Sequence, residues 1–113
     1  MAVRTRRVYD EPADDDGFRV LVDRLWPRGL TKDRARVDLW LKDVAPSTGL
    51  RREFHHEDLP FDEFTRRYRD ELAANAAVDA LRAVVAEHGT VTLVYGAGDP
   101  VQNQATILRD LLT

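Results

Sequence analysis

A chain of 113 residues with 43% apolar side chains has material for one core of modest size and is not composed like a disordered segment. Its formal net charge of −3 gives no long-range pull on nucleic acid or an anionic membrane. Cysteine is absent, which removes disulfides, thiolate nucleophiles and cysteine-based zinc or iron–sulfur sites in one step. All the basic residues except Lys32 and Lys42 are arginines, so cationic sites here are planar forks rather than point charges. The opening MAVRTRRVYD has no apolar core of a secretory signal, and no window reaches the roughly 18 apolar residues of a membrane span. The expectation is a soluble cytoplasmic protein with no membrane partner.

Ala2 to Tyr9 alternates weakly and reads as a first strand near a sheet edge. Glu11 to Gly17 is a loop carrying three adjacent carboxylates, Asp14, Asp15 and Asp16. Oxygen ligands suit a hard cation, but the glycine and distal glutamate of a calcium loop are missing, so a solvated acidic turn is the better account. Val20, Leu21 and Val22 form the apolar, partly β-branched run of a strand buried on both faces. The chemistry then changes over six residues, Asp23, Arg24, Leu25, Trp26, Pro27 and Arg28. Charged groups at the carboxyl end of a core strand stand where open α/β sheets bind ligands.

Thr31 is placed to cap a short helical turn through Lys32 to Ala35. Val37 to Val44 alternates as a third, less buried strand. Ser47 is a good N-cap for a helix carrying Leu50 and Phe54, and Phe61, Phe64, Tyr68 and Leu72 form the stripe of the next. Asn75 ends that helix and caps a third with Val78, Leu81 and Val85, which stops at His88 and Gly89. Thr90 to Tyr95 is a last apolar strand. Asp99, Pro100 and Gln102 have the spacing of N-cap, N1 and N3 for a final helix whose stripe runs Val101, Ala105, Leu108 and Leu112. The expected fold is α/β: a single three-layer domain over residues 1–113, with about four strands in a small, largely parallel sheet flanked by helices. The first two strands are either parallel or a hairpin, which would make the sheet mixed.

Several groups could carry chemistry. Arg24 and Arg28 flank Trp26, and two guanidinium forks beside an indole suit a phosphate, a carboxylate or a stacked base. The alternative is that Trp26 covers the sheet edge and Arg24 pairs with Asp23 or Asp99. The Gly96-Ala97-Gly98 loop resembles a phosphate cradle but is neither a GxGxxG nor a Walker sequence, and structural capping by Asp99 is the better account of it, with a substrate-gripping Asp99 as the third reading. Asn103 and Gln104 stand on the first turn beyond it, and Lys42 ends the third strand on the same rim. His55 and His56 point about 100° apart on a helix, so they do not chelate one ion together, and no metal site is expected. One of them, His56, suits an acid or base near neutrality. Arg66, Arg67 and Arg69 read as a solvated helix face, and nucleic-acid binding there lacks interleaved aromatics.

The runs DGFRVLVDRLWPRGLTK, DLWLKDVAPS, LRREFHH and VTLVYGAGDPVQNQATIL resemble the domain-of-unknown-function 488 family in its YeaO-like branch, over about Arg7 to Leu112. The resemblance implies a small bacterial-type α/β protein with no established reaction. It also implies recurrent positions at Asp23, Arg24, Trp26, Pro27, Arg28, Gly29, Lys42, Tyr68, Tyr95, Asp99 and Asn103. Gln104 departs from that pattern, where relatives often carry histidine, and Gly96 and Gly98 replace bulkier residues. A fainter likeness is to rhodanese-like domains, whose persulfide chemistry a cysteine-free chain does not perform.

The expected site is therefore the carboxyl rim of the sheet. Arg24, Trp26, Arg28, Lys42, Asn103 and Gln104 are its candidate ligand-binding residues, for a small anionic or nucleotide-like molecule. Asp99 and His56 are its candidate catalytic groups, and no cofactor is assigned. Whether the chain is an enzyme stays open. The alternative is a non-catalytic module whose Trp26, Trp40 and arginines form a partner or homodimer surface.

Overall fold

The structure, a computed structural model, describes residues 2–113. Four strands make one wholly parallel sheet: β1 (Ala2–Arg7), β2 (Phe18–Leu21), β3 (Leu39–Trp40) and β4 (Thr90–Tyr95), in the order β1-β4-β2-β3. β4 lies between β1 and β2 and pairs with both, so the first two strands are not a hairpin. Its central place explains its composition. Val91 to Tyr95 are all buried, as a parallel strand covered on both faces requires.

Among the described residues there are five α-helices: α1 (Lys32–Ala35), α2 (Thr48–His56), α3 (Phe61–Ala73), α4 (Ala77–His88) and α5 (Gln104–Leu112). The two faces of the sheet are covered unequally. Val20, Val22, Val91, Leu93 and Tyr95 join Leu50, Phe64, Tyr68, Leu72, Leu81, Val85 and Leu108 in the main core, so α2 to α5 all pack on one face. Leu21 and Val94 point the other way, with Val8 and Ala35, under a thin cover of Trp26, Leu30 and Val37. This is the period-two alternation of buried strands, read on two different partners.

The short-range signals behave as local chemistry dictates. The Thr31 and Ser47 hydroxyls accept from the Arg34 and Leu50 N–H groups, the Asn75 side chain accepts from the Ala77 N–H at 2.9 Å, and Gly89 ends α4 at φ +74°. Two expectations are corrected. The third strand does not run from Val37 to Val44. Only Leu39 and Trp40 pair with β2, and Lys42–Val44 is a 3-10 turn. Side-chain donors take the place of the ladder there. The Tyr68 hydroxyl donates to the Val44 carbonyl at 2.6 Å, and Arg24 Nη2 donates to the Ala45 carbonyl at 3.1 Å.

The last helix also starts later than its cap spacing suggests. Asp99 Oδ1 accepts from the Val101 and Gln102 N–H groups, closing a separate turn, while Asn103 Oδ1 accepts from the Thr106 N–H and is the true N-cap. Starting at Gln104 turns Ala105, Ile107 and Leu108 into the core and leaves Val101 exposed outside the stripe. No helix among the described residues is long and apolar enough to cross a membrane.

Candidate functional site

Strand register builds the site. Leu21 lies beside Val94 in the parallel pair of β2 and β4. Two residues further along each strand, Asp23 lies beside Gly96, and the Gly96 N–H donates to Asp23 Oδ2 at 2.8 Å. A Cβ on Gly96 would stand 3.0 Å from that oxygen, so glycine lets the loop close on the carboxylate. The chain leaves β2 toward β3 and leaves β4 toward α5, which packs on β1 and β4. The two exits diverge from neighbouring carboxyl ends, the arrangement that opens a crevice in α/β sheets.

A cleft of about 450 Å³ lies there, within the range of small-molecule sites. Its walls are the segment from Asp23 to Arg28, the turn at Ala45 and Pro46, one side of α2, and Gly96, Ala97 and Gln104. Arg51 and His55, one helical turn apart, face it from α2 together with His56. Tyr9 also lines the cleft and donates its hydroxyl to the Arg28 carbonyl at 3.0 Å.

Each wall is anchored by backbone bonds. Trp26 donates its indole N–H to the Leu30 carbonyl at 2.7 Å, and Trp40 donates its own to the Asp23 carbonyl at 2.8 Å. The two rings meet edge to face at 5.6 Å. Arg24 reaches across to the carbonyls of Ala45 and Pro46 through Nη2. Its Nε is buried and has no hydrogen-bond partner among the described residues. Asp23 is fully engaged, with Gly96 on one oxygen and Gln104 Nε2 on the other.

Residues 2–113 match the family described as the inactive DUF488-N3 subclade. The chain belongs to this family. It is 46% identical to the uncharacterised protein Rv3073c of Mycobacterium tuberculosis strain H37Rv over 110 residues, covering 97% of this chain and 92% of that one. It is 41% identical to the uncharacterised protein YeaO of Escherichia coli K12 over 112 residues, 99% of this chain and 97% of that one. No solved structure is a significant match.

In this DUF488-N3 protein, Arg24, Trp26, Arg28, His56 and Gln104 all line the cleft. Lys42, Asp99 and Asn103 do not. Lys42 Nζ stands 5.3 Å from the Trp40 ring centroid. Asp99 is exposed, and the Gln102 and Val101 N–H groups hold its carboxyl below the usual range. Asn103 is buried, with its amide spent on Thr106 and on the Asp99 carbonyl. Asp14 and Asp15 are exposed, as a solvated turn predicts, whereas Asp16 is buried against Arg19. Among the described residues no cluster of histidine and carboxylate side chains could hold a metal.

Sequence spacing does not single out Arg51, and it selects His56 rather than His55 as the acid or base. The available signal was helical: Arg51 and His55 share one face of an amphipathic segment that begins at a recognisable cap. Asp23 carries a similar signal, as the first charge after the buried run Val20 to Val22. Burial pushes its carboxyl above the usual range, against the opposing pull of the Gly96 N–H, Arg51 and Gln104. The sign follows from linkage. The neutral form favours the fold below the unfolded-state value of about 3.9, and that contribution is lost as pH rises through the higher folded-state value. Asp23→Asn is therefore expected to melt at or above the wild-type temperature at neutral pH, with the gap closing toward about pH 4. Thermal unfolding across that pH range measures it, and a variant that melts well below wild type at neutral pH overturns the assignment.

Proposed function

We propose that this protein binds a small anionic ligand, phosphate-bearing or nucleotide-like, in the rim cleft and holds it without chemical turnover. The observation that carries the reading is the charge pattern of the cleft walls. Arg24, Arg28 and Arg51 line the cleft, and Asp23, the one carboxylate on its walls among the described residues, already has both oxygens occupied. Guanidinium forks in a half-enclosed cleft favour phosphate and carboxylate oxygens. Trp26 and Arg28 lie on the concave surface rather than on a convex patch, which supports a ligand over a flat interface. The inactive description of the family supports binding without turnover. His56 is the cleft-facing group that would serve as acid or base if turnover were found.

Thermal unfolding with phosphate, pyrophosphate and nucleoside monophosphates tests this. A bound anion at a hundredfold excess over Kd stabilises by about 2.7 kcal/mol. Arg28 is exposed and makes no ion pair among the described residues. Arg28→Ala should thus leave the unliganded melting temperature unchanged while weakening the anion about tenfold. No stabilisation by any of these anions would remove the reading. It would favour the interface alternative, in which a partner or second copy covers the exposed Leu25 and Trp40 at 64% and 38% accessibility.

A further inference from the structure

We propose, resting on the anion-binding reading, that the cleft takes a dianion of the phosphomonoester class together with one proton, and that His55 accepts the proton. Charge matching selects the dianion. Three guanidiniums against the one Asp23 carboxylate leave two positive charges on the walls when the imidazoles are neutral. A dianion cancels both, which removes the net repulsion on a nearby imidazolium, and a fork-lined cleft offers enough donors for several oxygens of one group. His55 then decides how the bound state is completed.

The imidazole of His55 stands on the cleft wall one turn beyond Arg51 and next to His56, with its ring 5.1 Å from that of Phe54. The titratable and charged groups on the same walls are Tyr9 from the β1 end, Asp23, Arg24 and Arg28 from the β2 exit, and Arg51 and His56 from α2 itself. Desolvation, then Arg51 and then His56, hold the His55 pKa below the ordinary imidazole value, so the empty cleft keeps it neutral at pH 7. A dianion seated among these cations cancels their net positive charge. Protonating His55 then adds a charge-assisted donor to the ligand instead of a fourth repelling charge. By linkage, affinity for the dianion rises as pH falls.

Sulfate separates this coupling from the ligand's own titration, because it stays a dianion throughout the range. Calorimetric titration of the full chain with sulfate should show about tenfold tighter binding at about pH 5.5 than at pH 8, with net proton uptake read from buffers of different ionisation heat. His55→Gln should bind sulfate with the pH dependence flattened, and His56→Gln should keep it. Sulfate binding that does not vary with pH overturns the proton coupling and leaves anion binding standing. Flattening by His56→Gln alone overturns the assignment to His55. No binding at any pH removes both this proposal and the reading beneath it.

Discussion

Asp16→Ala is expected to lower the melting temperature by about 10–25 °C, the consequence of about 3–5 kcal/mol lost when a buried ion pair keeps only one partner. Asp16 and Arg19 are both almost fully buried, and their side chains meet at 2.5 Å. The Asp16 carboxylate also accepts from Arg6 Nε at 3.2 Å and from the Ala13 N–H at 3.0 Å. Arg19 spends its remaining donors on the Ala35 and Arg36 carbonyls, so removing the carboxylate strands a guanidinium inside the thin cover of the sheet. Replacing both residues is milder than replacing one, because no buried charge is left behind. Asp16→Ala combined with Arg19→Met should recover at least about 1 kcal/mol of the single-variant loss in a double-mutant cycle. Burial alone would raise the Asp16 pKa, but the Ala13 N–H and the Arg19 and Arg6 guanidiniums outweigh it and bring it below the usual value. This contribution is therefore full above about pH 4 and is lost as pH falls through the lower folded-state value. An Asp16→Ala protein that melts within a degree or two of wild type would show the pair to be dispensable.

That pair also marks where sequence reading ended. Three consecutive aspartates look alike on paper, and two of them are indeed solvated. The clue lay on the other partner: Arg19 interrupts an apolar strand at a position whose neighbours Val20 to Val22 are buried. A buried arginine needs a counter-charge, and the nearest carboxylate upstream in sequence is Asp16. The helices were legible because their signals are local, a cap and a stripe of period 3.6 within one segment. The strand order was not. Insertion of β4 between β1 and β2 depends on contacts more than seventy residues apart, such as the bond from the Thr92 hydroxyl to the Asp16 carbonyl at 2.7 Å.

The candidate site divides in the same manner. The wall from Asp23 to Arg28 was readable because it is one continuous segment with an abrupt change of chemistry. Arg51 and His55 come from α2, whose placement depends on the Arg24 bonds to Ala45 and Pro46 just before its cap. No spacing in the chain encodes that reach. In the opposite wall, Asp99, Asn103 and Gln104 are close in sequence but serve different ends. The first two close their own turn and cap α5, and only Gln104 reaches Asp23. Proximity in the chain said that they share a loop, and only the start of α5 decides which of them faces the cleft.

Gly17→Ala should cost about 2–5 kcal/mol, from about 1–2 for a left-handed backbone and about 1–3 for overpacking. Gly17 has φ +65° and ψ −137°, and a Cβ there would stand 2.3 Å from the Thr90 carbonyl oxygen at the start of β4. Backbone is what it meets, so no side-chain rotation relieves the clash. The turn must move away from β4, weakening the pairing of Phe18 with Val91 that begins the β2–β4 ladder. This strain sits at the amino end of the sheet, whereas the cleft sits at the carboxyl end, where Asp23 meets Gly96. The expected result is accordingly twofold. The variant melts well below wild type, yet phosphate or sulfate at the same multiple of Kd restores the same increment of stability, because ligand binding adds to whatever folded state remains. A loss under about 1 kcal/mol would show that the turn yields at little cost. Loss of the ligand increment along with stability would show that the two ends of the sheet are not independent, and that the cleft relies on strain-free pairing along the full length of β2 and β4.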